Sequence, residues 1–417
     1  MTSPSPAPAR TLLVTVTGRD RPGVTARLFA ALAGFDVDVL DVEQVTVRGR
    51  LVLAVLVTSP TAVDDDVLRH AVGTAVHPLG LEVELSAGHG DHRRAPQRAH
   101  VTVLGYPLRP AAIEAIAARI AAAGANIDRI VRLASYPITS IELEVSGAEP
   151  ARLKAELAAE ALRTDVDWAV DVAVQPSGLL RRAKRLVVMD VDSTLVQGEV
   201  IEMLAARAGA LDKVAAVTEA AMRGELDFAE SLRARVSTLA GLPESVIDEV
   251  RAEVTLMPGA RTLVRTLKRL DYRIAIVSGG FTQITDTLAA DLDLDYATAN
   301  TLEVVDGRLT GDVVGPILDR AGKAAALQRF AADAGVPLSQ TVAVGDGAND
   351  LDMIATAGLG IAFNAKPVVR SAADTAVNVP YLDAVLYLLG ISRADIEAAD
   401  AADGVTTPAP PVPAPPH

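Results

Sequence analysis

Four short apolar runs in the second half of the chain, at 186–189, 274–277, 341–344 and 359–363, restrict its fold more than any other feature. None shows the apolar–polar alternation of a half-exposed strand, and helix-like segments separate them. Runs of this kind fit parallel strands covered on both faces, with crossover helices supplying the covers. The spacing therefore predicts a doubly wound, Rossmann-like parallel α/β sheet over 183–395, with a helical cap at about 199–256 inserted after the first strand. Val304-Val-Asp-Gly307-Arg-Leu-Thr carries the Asp-Gly signal of a hairpin beside that sheet.

The first half has a different rhythm. Residues 11–17, 37–47, 51–57 and 81–85 read as strands, with helices at 22–33 and 63–76; the βαββαβ order is the ferredoxin-like split pattern. The same order returns with strands at 101–104, 127–133, 138–145 and 166–174, and helices at 110–123 and 150–162. Ala30-Ala-Leu-Ala-Gly34 and Ile120-Ala-Ala-Ala-Gly124 mark equivalent helix ends, so the topology is duplicated within the chain. The expected boundaries are 11–87 and 99–175 for two α+β domains. Gly88-His-Gly-Asp-His-Arg-Arg-Ala-Pro-Gln97 reads as a linker whose histidines, His89 and His92, are solvated. Residues 1–10 and the Pro-rich 400–417 read as disordered ends.

Composition excludes several classes of function. The chain of 417 residues is half apolar, so it fills a core, but only 3% is aromatic, which argues against base-stacking platforms. A net charge of −14 argues against a general grip on nucleic acid or anionic lipid. The absence of cysteine removes disulfides, thiolate metal sites and Cys nucleophiles. With no apolar leader and no run of about 18 apolar residues, a cytoplasmic protein without a membrane or nucleic-acid partner is expected.

Chemistry is written at the strand ends. In open parallel sheets, sites form beyond the carboxyl ends of the strands. Here the first strand runs into Asp190-Val-Asp192-Ser-Thr194, the second into Ser278-Gly279-Gly280, and the third into Gly345-Asp346-Gly347-Ala-Asn349-Asp350. One Asp after a strand is usually a cap or turn residue; two acidic clusters and a hydroxyl–glycine turn at one sheet edge exceed what capping needs. Gathering Asp190, Asp192, Asp346 and Asp350 invites a hard cation, and oxygen donors without His or Cys suit Mg²⁺. Such an ion beside a carboxylate points to phosphoryl chemistry. Ser278 offers a hydroxyl, Gly279 and Gly280 let N–H groups approach an oxyanion, and Lys323, one of six lysines, is the expected phosphate contact.

These four segments, in this order, resemble the motifs of the haloacid dehalogenase-like phosphatases. Gln197-Gly-Glu199-Val-Ile-Glu202 and Phe228-Ala-Glu-Ser-Leu-Arg-Ala-Arg235-Val are similar to the cap of the phosphoserine phosphatase family within that superfamily. The resemblance implies a phosphoric monoester hydrolase that converts O-phospho-L-serine to L-serine and phosphate, the last step of serine synthesis. It implies Asp190 as nucleophile and Asp192 as general acid and base, with Mg²⁺ held by Asp190, Asp346 and the Asp192 carbonyl. Ser278, Gly279 and Lys323 would hold the phosphate and Asn349 would help fix the bound substrate, with Asp350, Thr194 and Gly280 in support. Glu199 would meet the substrate ammonium and Arg235 its carboxylate, and Met203 and Phe228 would line the cap.

The front half resembles two ACT domains, modules that bind amino acids and often pair across chains. Gly18-Arg-Asp20-Arg-Pro22-Gly23-Val is that family's strand–helix turn, so Gly18, Asp20 and Gly23 are expected to bind an effector, L-serine first among the amino acids. The second copy has Gly105-Tyr-Pro-Leu-Arg-Pro110, where Gly105 is the corresponding effector-binding candidate, and lacks the Asp-Arg-Pro-Gly run. A homodimer through these domains is expected. The competing readings are a phosphatase or phosphotransferase for another small phosphorylated metabolite, and an amino-acid sensor with a vestigial phosphatase domain. A P-type pump shares such a nucleophile motif but needs membrane helices.

Overall fold

The computed structural model of the chain describes residues 10–58, 65–89, 97–161, 170–178, 181, 183–222 and 225–406. The chain divides into two compact units, Met1–Arg94 and Ala95–His417. The first unit holds β1 (Arg10–Arg19), β2 (Val39–Val47), β3 (Arg50–Thr58) and β4 (Leu81–His89) in one antiparallel sheet of order β2-β3-β1-β4. Alternation decides which face is covered. Leu12, Val14 and Val16 of β1 point inward with Leu51, Leu53, Val55 and Val57 of β3, against Leu28, Leu32, Leu68 and Val72 of the two helices. Arg48 and Gly49, at φ of 49° and 74°, form the tight link that sets the β2–β3 register.

The second unit opens with the same plan: β5 (Arg98–Gly105), β6 (Asn126–Ala134), β7 (Thr139–Ser146) and β8 (Val170–Pro176), in the order β6-β7-β5-β8. Three of its buried polar residues find partners in later segments of the chain. Gln175 Nε2 donates to Leu388 O at 2.8 Å, Asn378 N–H donates to Asp171 at 2.6 Å, and Arg181 pairs with Glu142.

The C-terminal part is built on a seven-stranded sheet: β9 (Leu186–Met189), β10 (Arg273–Phe281), β11 (Tyr296–Val305), β12 (Arg308–Val314), β13 (Thr341–Gly345), β14 (Gly360–Phe363) and β15 (Thr375–Val377). Its order is β12-β11-β10-β9-β13-β14-β15, with only β12 antiparallel. Both faces are covered, as the continuous apolar runs require. Val187, Met189, Ile274 and Ile276 face one core, and Leu186, Val188, Ala275 and Val277 the other. Asp306 and Gly307, at φ of 49° and 71°, close the β11–β12 hairpin. The cap helices are Val200–Arg207, Leu211–Met222, Phe228–Ser237 and Ser245–Glu253. The chain enters and leaves the cap side by side: Gln197 N–H donates to Thr255 O and Met257 N–H to Leu195 O, both at 2.8 Å.

Local expectations differ from the structure in several places. β4 continues to His89, paired with Arg10, so Gly88 and His89 are strand and not linker; the partner strand is long enough to carry them. The first helix begins at Val24, because Gly23 at φ 91° is its left-handed N-cap and Pro22 lies outside. β10 runs through the Ser278-Gly279-Gly280 turn to Phe281, with its register shifting there. β15 is only three residues long, too short for periodicity to reveal. The ends expected to be disordered, 1–10 and 400–417, are ordered where they are described: Arg10 opens β1, and 400–402 finish the helix Arg393–Ala402, where buried Asp400 pairs with Arg265 and Arg269. Residues 1–9, 90–96 and 407–417 lie outside the described residues.

Candidate active site

The loaded segments meet at the carboxyl edge of the large sheet, where β9 separates β10 from β13 and the winding direction reverses. Asp190 follows β9, and its N–H still donates to Val344 O at 2.9 Å, continuing the ladder. The chain then turns sharply. The N–H groups of Thr194, Leu195 and Val196 converge on Val191 O at 3.2, 2.9 and 3.0 Å, and Ser193 takes a left-handed φ of 57°. That turn brings Asp192 under the cap, where Oδ1 accepts from the Val200 N–H at 2.8 Å and Oδ2 from the Ser278 hydroxyl at 3.0 Å.

Lys323 is fully buried, and its Nζ donates to Asp190 Oδ1 and Asp350 Oδ1, each at 2.7 Å. Asp319 caps the Lys323 helix, Arg320–Asp333, by accepting from the Gly322 N–H at 2.8 Å. Asp350 Oδ2 accepts from the Gly347 N–H at 3.0 Å, and Thr194 Oγ1 donates to Asp346 Oδ1 at 3.2 Å. Asp190, Asp346 and Asp350 each bring one oxygen within 4.8 Å of the others.

One ammonium among these carboxylates leaves negative charge in excess. Burial, then repulsion from Asp350, holds Asp190 well above the usual carboxylate range against the pull of Lys323. Burial and Asp350 likewise push Asp346 up to about 6. Burial raises Asp192, opposed by its bonds from Val200 and Ser278. Lys323 is pulled down by burial, but Asp190 and Asp350 outweigh this, and it stays charged. An all-oxygen donor set carrying excess charge fits a hard divalent cation such as Mg²⁺. The Asp192 carboxylate is not in this set, being occupied by Val200 and Ser278; only its carbonyl is available as the expected ligand.

The turn after Ser278 leaves little room for a side chain. A Cβ on Gly280 would lie 3.0 Å from Asp192 Oδ2, and one on Gly279 would lie 3.2 Å from Phe228 Cζ and 4.0 Å from Asn349 Nδ2. Gly279, Asn349 and the cap residue Phe228 thus converge from three segments. The cap also brings charge. Glu199 precedes the helix Val200–Arg207 and accepts from the Ser193 hydroxyl at 2.9 Å; burial, then Asp192, pushes it up to about 7. Arg235 is half-buried on the helix Phe228–Ser237 and is lowered by burial, while Glu199 and then Asp192 support its charge. Met203, one turn after Glu199, packs on the core.

Two contributors escaped the sequence reading. Ser193 sits inside the first motif but reads as an ordinary turn residue. Asn300 on β11 is buried and donates from Nδ2 to Gly279 O at 2.8 Å; no motif flags it. In the front half, Gly18 lies near the end of β1 at φ 150°, where a Cβ would come 2.6 Å from Leu81 Cδ2 and 3.1 Å from Gly80 O, so backbone conformation and packing together favour glycine there. Asp20 is exposed and accepts from Thr46 Oγ1 at 3.3 Å. Gly105 pairs with Thr139 and Val170, and a Cβ would come 3.1 Å from Leu108 Cδ1.

A doubly wound sheet with an inserted cap and an Asp-lined strand edge defines the haloacid dehalogenase-like hydrolase class, whose family profile matches residues 187–355. ACT-domain profiles match residues 10–86 and 98–174. The chain is 63% identical to a phosphoserine phosphatase of Streptomyces coelicolor over 391 residues, 94% of each chain. It is 56% identical to a phosphoserine phosphatase of Mycobacterium tuberculosis over 394 residues, 94% of this chain and 96% of that one. A crystal structure of a probable phosphoserine phosphatase from Vibrio cholerae, in unliganded form, aligns at 36% identity and a TM-score of 0.55, covering 74% of this chain and 90% of that one. The chain belongs to the phosphoserine phosphatase family.

Proposed function

We propose that the chain hydrolyses O-phospho-L-serine to L-serine and phosphate through a phosphorylated Asp190. The observation that carries this reading is the placement of a buried carboxylate, its Lys323 partner and the Ser278–Asp192 hydrogen bond at one strand edge beneath a cap that holds opposite charges. An Asp190 oxygen attacks phosphorus and the ester O–P bond breaks. Asp192 gives its proton to the departing serine oxygen. Asp192 then takes a proton from water, whose oxygen attacks phosphorus and frees phosphate and Asp190. Ser278, Gly279 and Lys323 hold the phosphate oxygens, and Asn349 helps fix the bound substrate. Asp190, Asp346 and the Asp192 carbonyl, with Asp350 in support, would hold Mg²⁺, which would supply positive charge to mask the phosphate from the incoming carboxylate. Phosphate release from O-phospho-L-serine tests the reading: it is expected with Mg²⁺ and absent with excess EDTA, and EDTA-resistant turnover would remove the metal from it.

Glu199 gives the amino acid a pH-dependent grip. Its raised value near 7 means it is mostly a neutral acid below that pH and a carboxylate above it. Since only the carboxylate matches the ammonium, KM is expected to rise as pH falls from about 8 to about 6, roughly tenfold per unit once below the Glu199 value. The Glu199→Gln variant should show a high KM without that slope. A wild-type KM that is flat across this range would detach Glu199 from substrate binding.

The ACT domains are proposed to bind an amino-acid effector, L-serine first, at the turn bearing Gly18, Asp20 and Gly23, and to pair two copies of this cytoplasmic enzyme. Val39, Leu40, Val42, Val45 and Val47 of β2 are all more than 40% exposed, which supports pairing. Because Gly18 is needed for packing, the cleaner test substitutes Asp20. Asp20→Ala is expected to weaken L-serine inhibition about tenfold, the scale of one charge-assisted hydrogen bond, with basal kcat unchanged. Superimposable inhibition curves would take Asp20 out of the effector site.

A further inference from the structure

We infer that Asn300, outside every motif of the site, is a positioning residue that sets the Ser278 hydroxyl and ties the phosphate loop to the helix carrying Lys323. The inference rests on the phosphatase reading above. Asn300 lies on β11, next to β10, and is 3% exposed. Its amide is used at both ends. Nδ2 donates to Gly279 O at 2.8 Å, and Oδ1 accepts from the Leu318 N–H at 2.7 Å.

The first bond fixes a peptide plane. Gly279 C=O and the Gly280 N–H belong to the same planar unit, so holding the oxygen orients the N–H on the other side. That N–H donates to Ser278 Oγ at 2.7 Å, and Ser278 Oγ in turn donates to Asp192 Oδ2 at 3.0 Å. With Gly280 N–H on an Oγ lone pair, the hydroxyl proton is directed to the carboxylate. No side chain at 279 or 280 helps to stop this peptide from flipping, and glycine has little intrinsic preference of its own. Asn300 supplies the restraint the sequence omits locally.

The second bond reaches the other half of the phosphate site. Leu318 directly precedes Asp319, the N-cap of the helix Arg320–Asp333, whose first turns carry Lys323. One buried side chain therefore joins the two segments that must keep a fixed spacing around a phosphate group. Asn suits the task because it offers a donor and an acceptor from one rigid plane. Asp has the same shape but places an oxygen, and charge, against Gly279 O.

The experiment measures kcat and KM for O-phospho-L-serine, inhibition by inorganic phosphate and melting temperature in wild type, Asn300→Asp, Asn300→Ser, Ser278→Ala and the Asn300→Ser/Ser278→Ala double variant. Asn300→Ser is the second probe should the Asp variant not fold. Expected are a kcat lowered about 10- to 100-fold and phosphate inhibition weakened about tenfold in the Asn300 variants, with KM within about threefold because Glu199 and Arg235 are untouched. The kcat loss in the double variant should fall well short of the product of the two single losses, since Asn300 acts in part through the Ser278 hydroxyl. A folded Asn300→Ser enzyme with wild-type kcat and phosphate inhibition, or additive losses in the double variant, overturns the inference while leaving the phosphatase reading intact. A wild-type chain with no turnover of O-phospho-L-serine overturns that reading and this inference with it.

Discussion

Asp190→Asn is expected to fold and to release no more than about one ten-thousandth of the wild-type phosphate, the scale of loss on removing a nucleophile. The amide is the same size and cannot form the mixed anhydride, while the binding groups remain. Its effect on stability separates chemistry from structure. Asp190 is buried, and its charge is disfavoured by burial and then by Asp350. Lys323 keeps its second partner, Asp350, at 2.7 Å after the change. The metal-free variant should therefore melt at or above the wild-type temperature. It should gain less on adding Mg²⁺, because one ligand oxygen has lost its charge; a tenfold weaker affinity is about 1.4 kcal/mol of lost stabilisation. Phosphate release above about 1% of wild type in Asp190→Asn would remove Asp190 as the nucleophile.

Lys323→Met carries the second large effect, and it acts on both stability and rate. The wild-type ammonium has no solvent exposure and sits between Asp190 and Asp350. Removing one partner of a buried charge pair typically costs about 3–5 kcal/mol, because the charge left behind is neither solvated nor matched. In a domain of this size that corresponds to a melting temperature about 10 °C lower without metal. The sign of the pH dependence follows from the same charges. Without Lys323, Asp190 sits further above its unfolded value, so the folded state is favoured by protonation. That stability is present at low pH and is lost as pH rises through the folded-state value. The deficit should therefore be smallest near pH 5 and grow towards pH 8, and Mg²⁺ should recover part of it. Turnover should fall by about 10³-fold even with saturating Mg²⁺, since a preorganised positive charge on the phosphate is gone. A metal-free Lys323→Met protein that melts with wild type at every pH would show that the ion triad does not govern this core.

Much of the site was legible because its parts are local. Asp190 and Asp192 stand two residues apart in one turn, Gly279 and Gly280 are adjacent, and Asp346 to Asp350 lie in one segment, so chemistry survives as strings. The parallel sheet was legible for a similar reason: a strand buried on both faces must be apolar throughout. What escaped was single residues whose meaning comes from a neighbour in space. Asn300 is 21 residues from Gly279 and 18 from Leu318, and nothing in its own segment marks it. Gly18 looked like a ligand-binding glycine, yet its tightest constraint is Leu81 on the neighbouring strand.

The amino-acid order alone determined the types and succession of most of the elements and singled out the acidic and hydroxyl residues that follow the strands, because helix and strand periodicities and motif spacings are properties of short stretches. Tertiary structure alone decided which charges meet. Lys323 is 133 residues from Asp190 and 27 from Asp350, and only the crossover that lays β13 beside β9 brings the three together. Electrostatic energy depends on separation in space and on exclusion of water, and neither is set until the chain has closed on itself.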